Sequence, residues 1–154
     1  MTNGSAVRLD VRSSLDMLDL VQAVCDRVGR AAGLGDDAMH WVDVAVRESV
    51  INAITHGNHH DHGKRVHIEF TLLEDSCNPG IAIRVRDEGL GFDPGCLPDC
   101  CAPENLLRTS GRGIFLIRSF MDELVLRRAP EGGMEVVMVK HAQPPAGVAG
   151  PLDT

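Results

Sequence analysis

The chain has little positive charge. Fifteen Lys and Arg stand against 22 Asp and Glu in 154 residues, so the formal net charge is −7 with His neutral. Nucleic-acid binding draws on basic patches, and this balance argues against it. Long apolar runs are also missing. None approaches the roughly 18–20 residues needed to cross a bilayer, so no membrane span is expected. Met1 to Asp10 has no apolar segment of the secretory kind, so no signal peptide is expected. Cys25, Cys77, Cys96, Cys100 and Cys101 form no C-x-x-C pair. Their odd number reads as reduced thiols in a cytoplasm. No internal repeat is visible. Only Lys64 and Lys140 represent lysine, and neither follows a glycine loop, which excludes a Walker A phosphate loop. Gly89, Gly91 and Gly95 do not fit G-x-G-x-x-G, which excludes the dinucleotide fingerprint.

What remains is the pattern of one soluble globular domain with a single core. Val7 to Val11 alternates apolar and polar residues and predicts a short strand. Ser13 or Ser14 can cap the helix that follows. Its Leu18, Val21, Cys25 and Val28 recur at helical spacing, and Gly29 and Gly33 mark its end. Asp36 and Asp37 are candidate caps for a second helix that runs to about His56 and stops at Gly57. His59-His60-Asp61-His62-Gly63 reads as a polar loop. Val66, Ile68, Phe70 and Leu72, then Ile81, Ile83 and Val85, alternate with other residues on two strands joined by an Asn78-Pro79-Gly80 turn. One polar face implies an antiparallel sheet covered on one side. Residues 89–113 predict a long irregular segment, and such a loop inside a compact domain is usually functional. Ile114 to about Phe120 predicts a helix. Residues 124–126 and 134–140 predict closing strands around a Gly132-Gly133 turn. The domain is expected over residues 1–141, with a Pro/Gly/Ala-rich disordered tail over 142–154. The expected architecture is an α/β (α+β) two-layer sandwich.

Three groups of residues carry chemistry. On a helical wheel Val42, Val46, Ser49, Val50 and Ala53 share the core face. Glu48, Asn52 and His56, spaced i, i+4, i+8, form a polar stripe that borders this face. A carboxylate and an amide at such a rim overlook a pocket. Taken alone, each is more simply part of a solvated helix face. Asp87 shares the parity of Ile81, Ile83 and Val85, so it turns inward at a strand end. A buried carboxylate needs a donor, and a ligand amino group could supply it. Alone, a turn or capping Asp is the simpler reading. Gly89 and Gly91 follow directly. Ser110-Gly111-Arg112-Gly113 leads into the predicted helix at Ile114, where backbone amides and the helix dipole can meet phosphates. Each glycine pair alone is more simply a turn. His56, His59, His60, Asp61 and His62 match no closed tetrahedral metal spacing and read as a solvated loop. Cys96, Cys100 and Cys101 read as inert thiols, with a redox-sensitive loop as the sharper alternative.

The combination is far more specific than its parts. E-x-x-x-N-A-x-x-H-G at Glu48–Gly57, D-x-G-x-G-F at Asp87–Phe92 and G-R-G-I-F-L-I-x-x-F-M-D-E at Gly111–Glu123 occur in that order. The chain thereby resembles the Bergerat-fold ATPases, the superfamily of gyrase, the heat-shock chaperone, histidine kinases and a mismatch-repair ATPase. Within it, the chain is most similar to the small anti-sigma-factor serine/threonine kinases of bacterial partner switching, from about Val7 to Lys140. The other branches carry large second domains, membrane anchors or dimerising helices, for which this length leaves no room.

The resemblance implies a Bergerat-type ATP-binding fold with a mixed, mostly antiparallel sheet and helices on one face. It implies ATP and Mg²⁺ as cofactors. Asn52 is implied to hold Mg²⁺ and Asp87 to accept the adenine amine. Gly89 and Gly91 would let the backbone approach the base. Ser110, Gly111, Arg112 and Gly113 would cradle phosphates, with residues from about Pro94 to Ser110 as a lid that orders on nucleotide binding. Glu48 is implied as the general base toward a serine on a partner protein. Arg108 and Arg112 are both available to the γ-phosphate, and His56 is expected to hold the helix end beside Gly57. The implied partners are an anti-anti-sigma protein, as phosphorylation substrate, and a sigma factor. A cytoplasmic homodimer without nucleic-acid or membrane contact is expected. The alternative is an ATP-binding partner-switch module with little or no kinase activity and a non-sigma target. The intact Glu48 favours the kinase.

Overall fold

Alternation along the strands dictates which way each side chain points. In the computed structural model, which describes residues 4–89 and 118–142, five strands form one sheet. They are β1 (Ala6–Arg12), β2 (Arg65–Leu73), β3 (Gly80–Arg86), β4 (Glu123–Arg128) and β5 (Met134–His141), in the order β1-β2-β3-β5-β4. Every pairing among them is antiparallel, and no parallel pair of the mixed, mostly antiparallel sheet that the resemblance implied occurs among the described residues. Two of the four pairings are hairpins, and a tight turn permits only antiparallel neighbours. Val7, Phe70, Ile83, Met138 and Leu124 lie side by side across all five strands. On the other face, three rows along, Asp10, His67, Arg86, Glu135 and Arg127 stand in register as a polar row. There Glu135 is fully buried between the guanidinium groups of Arg84 and Arg127.

The apolar face is covered by α1 (Leu18–Ala31) and α2 (Asp36–Asn52). α1 packs on β2 and β3, and α2 packs on β3 and β5. Val21, Cys25, Val42, Val46 and Ile54 are fully buried between the layers. Each aliphatic side chain so buried contributes about 1.5–3 kcal/mol relative to exposure. The expected helical residues Leu18, Val21, Cys25 and Val28 are all in this core.

The caps differ from expectation. Gly35 is the N-cap of α2, and Asp36 and Asp37 sit in its first turn, where they complement the helix dipole. Arg30 reaches Asp36 at 2.7 Å. Neither serine caps the first helix. Ser14 precedes a short 3-10 turn, Leu15–Met17, without a side-chain cap bond. Ser13 is buried and donates to the Lys64 carbonyl at 2.8 Å. Gly29 lies inside the last turn of α1, where a Cβ would stand 2.2 Å from Met39 Sδ, so it permits close helix packing. Gly33 ends the helix at φ +93°, in the left-handed region glycine favours. At the other end of the described residues Ala142 N–H donates to the Pro79 carbonyl at 2.8 Å. The predicted helix appears at 118–120, and its start at 114–117, like the tail from 143, lies outside the described residues.

α1 and α2 also meet at an acidic seam. Asp43 of α2 has a buried Oδ1 without a hydrogen-bond partner, beside Asp26 and the Cys25 thiol. Burial, reinforced by Asp26, pushes Asp43 up to about 7. A proton on Asp43 supplies the donor that two carboxylates otherwise lack. Burial also pushes the Cys25 thiol above its ordinary range.

Candidate functional site

The site starts from the wheel of α2. Val42, Val46, Ser49, Val50 and Ala53 are buried against the sheet. Glu48 and Asn52 are half-buried at the rim of that face, and His56 is exposed. The stripe therefore splits: two members border the core and the third faces out. Past Asn52 the helix widens into a π-helical turn, Ala53–Gly57. Its closing bond runs from Asn58 N–H to the Ala53 carbonyl at 2.8 Å. Asn58, rather than His56, holds the helix end. Such π turns frequently occur at functional sites.

Asp87 follows the last residue of β3 and keeps the inward parity. It is 5% exposed. Its N–H donates to the Met134 carbonyl at 3.0 Å. Its Oδ1 accepts from Gly89 N–H at 2.9 Å and from Met134 N–H at 3.1 Å. Burial pushes its pKa up, while these two amides and the charges of Arg86 and Lys64 pull it down.

Three glycines press on this carboxylate. A Cβ on Gly57 would stand 2.1 Å from Asp87 Oδ2, and one on Gly133 would stand 2.0 Å from the Asp87 carbonyl oxygen. A Cβ on Gly89 would meet the Gly57 carbonyl oxygen at 2.2 Å. The end of the α2 turn, the end of β3 and the β4–β5 turn thus converge on one carboxylate, with backbone in place of side chains. Gly133, at φ +84°, is required both by conformation and by this approach.

The arrangement suits an amine ligand. Among the described residues no hydrogen bond reaches Asp87 Oδ2, so an acceptor is left for a donor from outside. The half-buried Asn52 offers an amide oxygen to a hard cation, and the half-buried Glu48 offers a carboxylate one turn earlier. By helical rise Glu48 lies roughly 13 Å along the axis from Gly57, which separates the two ends of the site. Gly91, Arg108, Ser110, Gly111, Arg112 and Gly113 lie outside the described residues, as do residues 94–110, where a lid is expected, with Cys96, Cys100 and Cys101 among them. Sequence reasoning singled out Glu48, Asn52 and Asp87, and the structure places Asp87 buried and the other two half-buried. It read Gly57 and Gly133 only as helix stop and turn, and it passed over Asn58 and Met134. Their weight comes from contacts between distant segments, for which the only sequence signal was a glycine.

Comparison with known proteins agrees. The family described as the histidine kinase-like ATPase domain matches residues 11–140. The anti-sigma F factor of Oceanobacillus iheyensis is 36% identical over 108 residues, which is 68% of this chain and 70% of that protein. The serine-protein kinase RsbW of Staphylococcus aureus is 30% identical over 142 residues, covering 88% of this chain and 86% of its own length. With the match running from the end of β1 through both helices and the buried Asp87 into β5, the chain belongs to the histidine kinase-like ATPase domain family.

Proposed function

We propose that this protein is an ATP-dependent serine/threonine kinase of the partner-switching type that also acts as an anti-sigma factor. The observation that carries the reading is the inward Asp87, ringed by Gly57, Gly89 and Gly133, on a domain whose α2 keeps both Glu48 and Asn52. Similarity to a serine-protein kinase and to an anti-sigma F factor supports it. When bound, ATP with Mg²⁺ supplies an activated γ-phosphoryl group. Asp87 reads the base by accepting a hydrogen bond from its amine. Guanine presents a carbonyl there, which leaves two acceptors facing each other. Asn52 holds the metal ion through its amide oxygen. Glu48 accepts the proton of the attacking serine hydroxyl. Gly91 gives the base room, and Arg108, Ser110, Gly111, Arg112 and Gly113 bind phosphates. The serine belongs to an anti-anti-sigma protein, and a sigma factor is released or sequestered accordingly. The protein works as a homodimer in the cytoplasm. No helix among the described residues is long and apolar enough to cross a membrane.

Incubating the protein with ATP–Mg²⁺ and a candidate anti-anti-sigma partner tests the reading by phosphate transfer to serine. Glu48→Ala is expected to keep ATP affinity while transfer falls roughly 10²–10⁴-fold. Transfer at the normal rate by this variant would sink the base assignment. ATP binding without transfer to any partner would favour a non-kinase switch.

A further inference from the structure

Among the described residues Asn58 is the one buried amide side chain, at 1% exposure, and the chemistry above makes no use of it. Its backbone closes the π turn that continues α2. Its side chain points back across three other segments. Oδ1 accepts from the Glu88 N–H at 2.8 Å. Nδ2 donates to Ser13 Oγ at 2.8 Å and to the Arg65 carbonyl at 3.0 Å. Both donors of the amide are in use, with one acceptor bond, so its flip state is set by its partners.

The Glu88 N–H belongs to the peptide that follows Asp87. The N–H on the other side of Asp87 is tied to Met134. Holding both flanking N–H groups fixes the Asp87 backbone and therefore the direction in which its carboxylate leaves the strand. The Glu88 side chain adds to the clamp, because Oε1 accepts from Arg65 N–H at 3.0 Å and Oε2 meets His67 Nε2 at 2.6 Å. The carboxylate is thus aimed by residues on its own loop, on β2 and on the end of the helix that carries Glu48 and Asn52.

We infer that Asn58 is a positioning residue for base recognition: through the Glu88 amide it sets the aim of Asp87 and locks it to the end of α2. The inference rests on Asp87 reading the adenine amine. Removing the Asn58 amide leaves the part-buried Glu88 N–H without its acceptor and frees the peptide to turn, so Asp87 no longer meets the amine. Ser13→Ala removes one partner of Nδ2 and leaves the bond to Glu88 in place. Asn58→Asp keeps the acceptor and loses the donors.

The test is calorimetric titration of ADP and of inosine diphosphate, which carries a carbonyl in place of the amine. Wild type is expected to prefer ADP by roughly 5- to 150-fold. In Asn58→Ala that ratio collapses toward one, because ADP affinity falls while inosine diphosphate affinity stays. Ser13→Ala and Asn58→Asp lose thermal stability and keep the ratio, which separates aim from stability. An undiminished ratio in folded Asn58→Ala overturns the inference and leaves the reading of Asp87 standing. Equal affinities in wild type overturn both. If Asn58→Ala does not fold, Asn58→Leu, which keeps the volume and loses the acceptor toward Glu88 N–H, decides: a kept ratio in that folded variant overturns the inference, and a lost ratio supports it.

Discussion

Gly57→Ala places a methyl group where the Asp87 carboxylate stands. The new Cβ would lie 2.1 Å from Oδ2, 2.4 Å from Cγ and 2.8 Å from Cβ of Asp87. Ordinary contact begins near 3.4 Å, so one side must move by about 1.3 Å, the difference between 3.4 and 2.1 Å. The carboxylate has little slack. Its bond from Met134 N–H is already 3.1 Å long, close to the limit of a good N–H···O bond. A shift of that size breaks one or both amide bonds to Oδ1. Each is worth about 1.5–3 kcal/mol, since the acceptor is charged. Against this stands about 1 kcal/mol gained by replacing a helical glycine with alanine. The balance is a loss of about 0.5–5 kcal/mol in stability, depending on whether one bond or both break. ADP affinity should fall about tenfold or more, because the reader of the base has moved. Thermal denaturation and ADP titration on the same preparation measure both. Wild-type ADP affinity with an equal or higher melting temperature would refute the argument, because it would mean that Gly57 and Asp87 do not touch.

Two further outcomes follow from the packing. The folded pKa of Asp43 is raised, from 3.8 to about 7, so the stability it contributes is fully present below pH 3.8 and is lost as pH rises through about 7. Asp43→Asn, which keeps a donor toward Asp26 at every pH, should therefore lose less melting temperature than wild type between pH 5 and 8. Asp87 shifts in the same direction in both proteins, so the difference between the two curves isolates Asp43. Parallel curves would show that Asp43 and Asp26 share no proton. Glu135→Ala leaves Arg84 and Arg127 facing each other on the open side of the sheet. Removing one partner of a fully buried pair costs about 3–5 kcal/mol, but both arginines are partly exposed and Arg84 keeps Glu131, so about 1–3 kcal/mol is expected. The urea midpoint reads this, and an unchanged midpoint would mean the carboxylate is not held between them.

Much of this protein was legible in its sequence because short-range periodicity is a local property. Period two along Ile81, Ile83, Val85 and Asp87 puts all four on one face, and the buried carboxylate follows from that parity alone. Period 3.6 along α2 separates Val42, Val46 and Val50 from the rim residues Glu48 and Asn52. The three motifs, read in order, led to the family that comparison supports.

Caps were less legible. Asp36 looked like an N-cap, yet Gly35 holds that place, since a chain leaving an extended residue can start the helix one step earlier without a side-chain bond. The π turn at Ala53–Gly57 has no periodic signature, because it changes the hydrogen-bond ladder and leaves the apolar pattern almost intact.

The sequence by itself determined the layers, the inward acid and the residue types at the site. Only the tertiary structure decided what surrounds that acid. Gly57, Asp87 and Gly133 lie 30 and 46 residues apart, since 87 − 57 = 30 and 133 − 87 = 46, and they touch because β3 pairs with β5 while α2 ends over the same strand. The same holds for Asn58, whose amide binds Ser13, Arg65 and Glu88 at once. A glycine or an asparagine looks the same in sequence whether it turns the chain or makes room for a partner. Which of the two it does depends on which distant backbone the sheet brings alongside it.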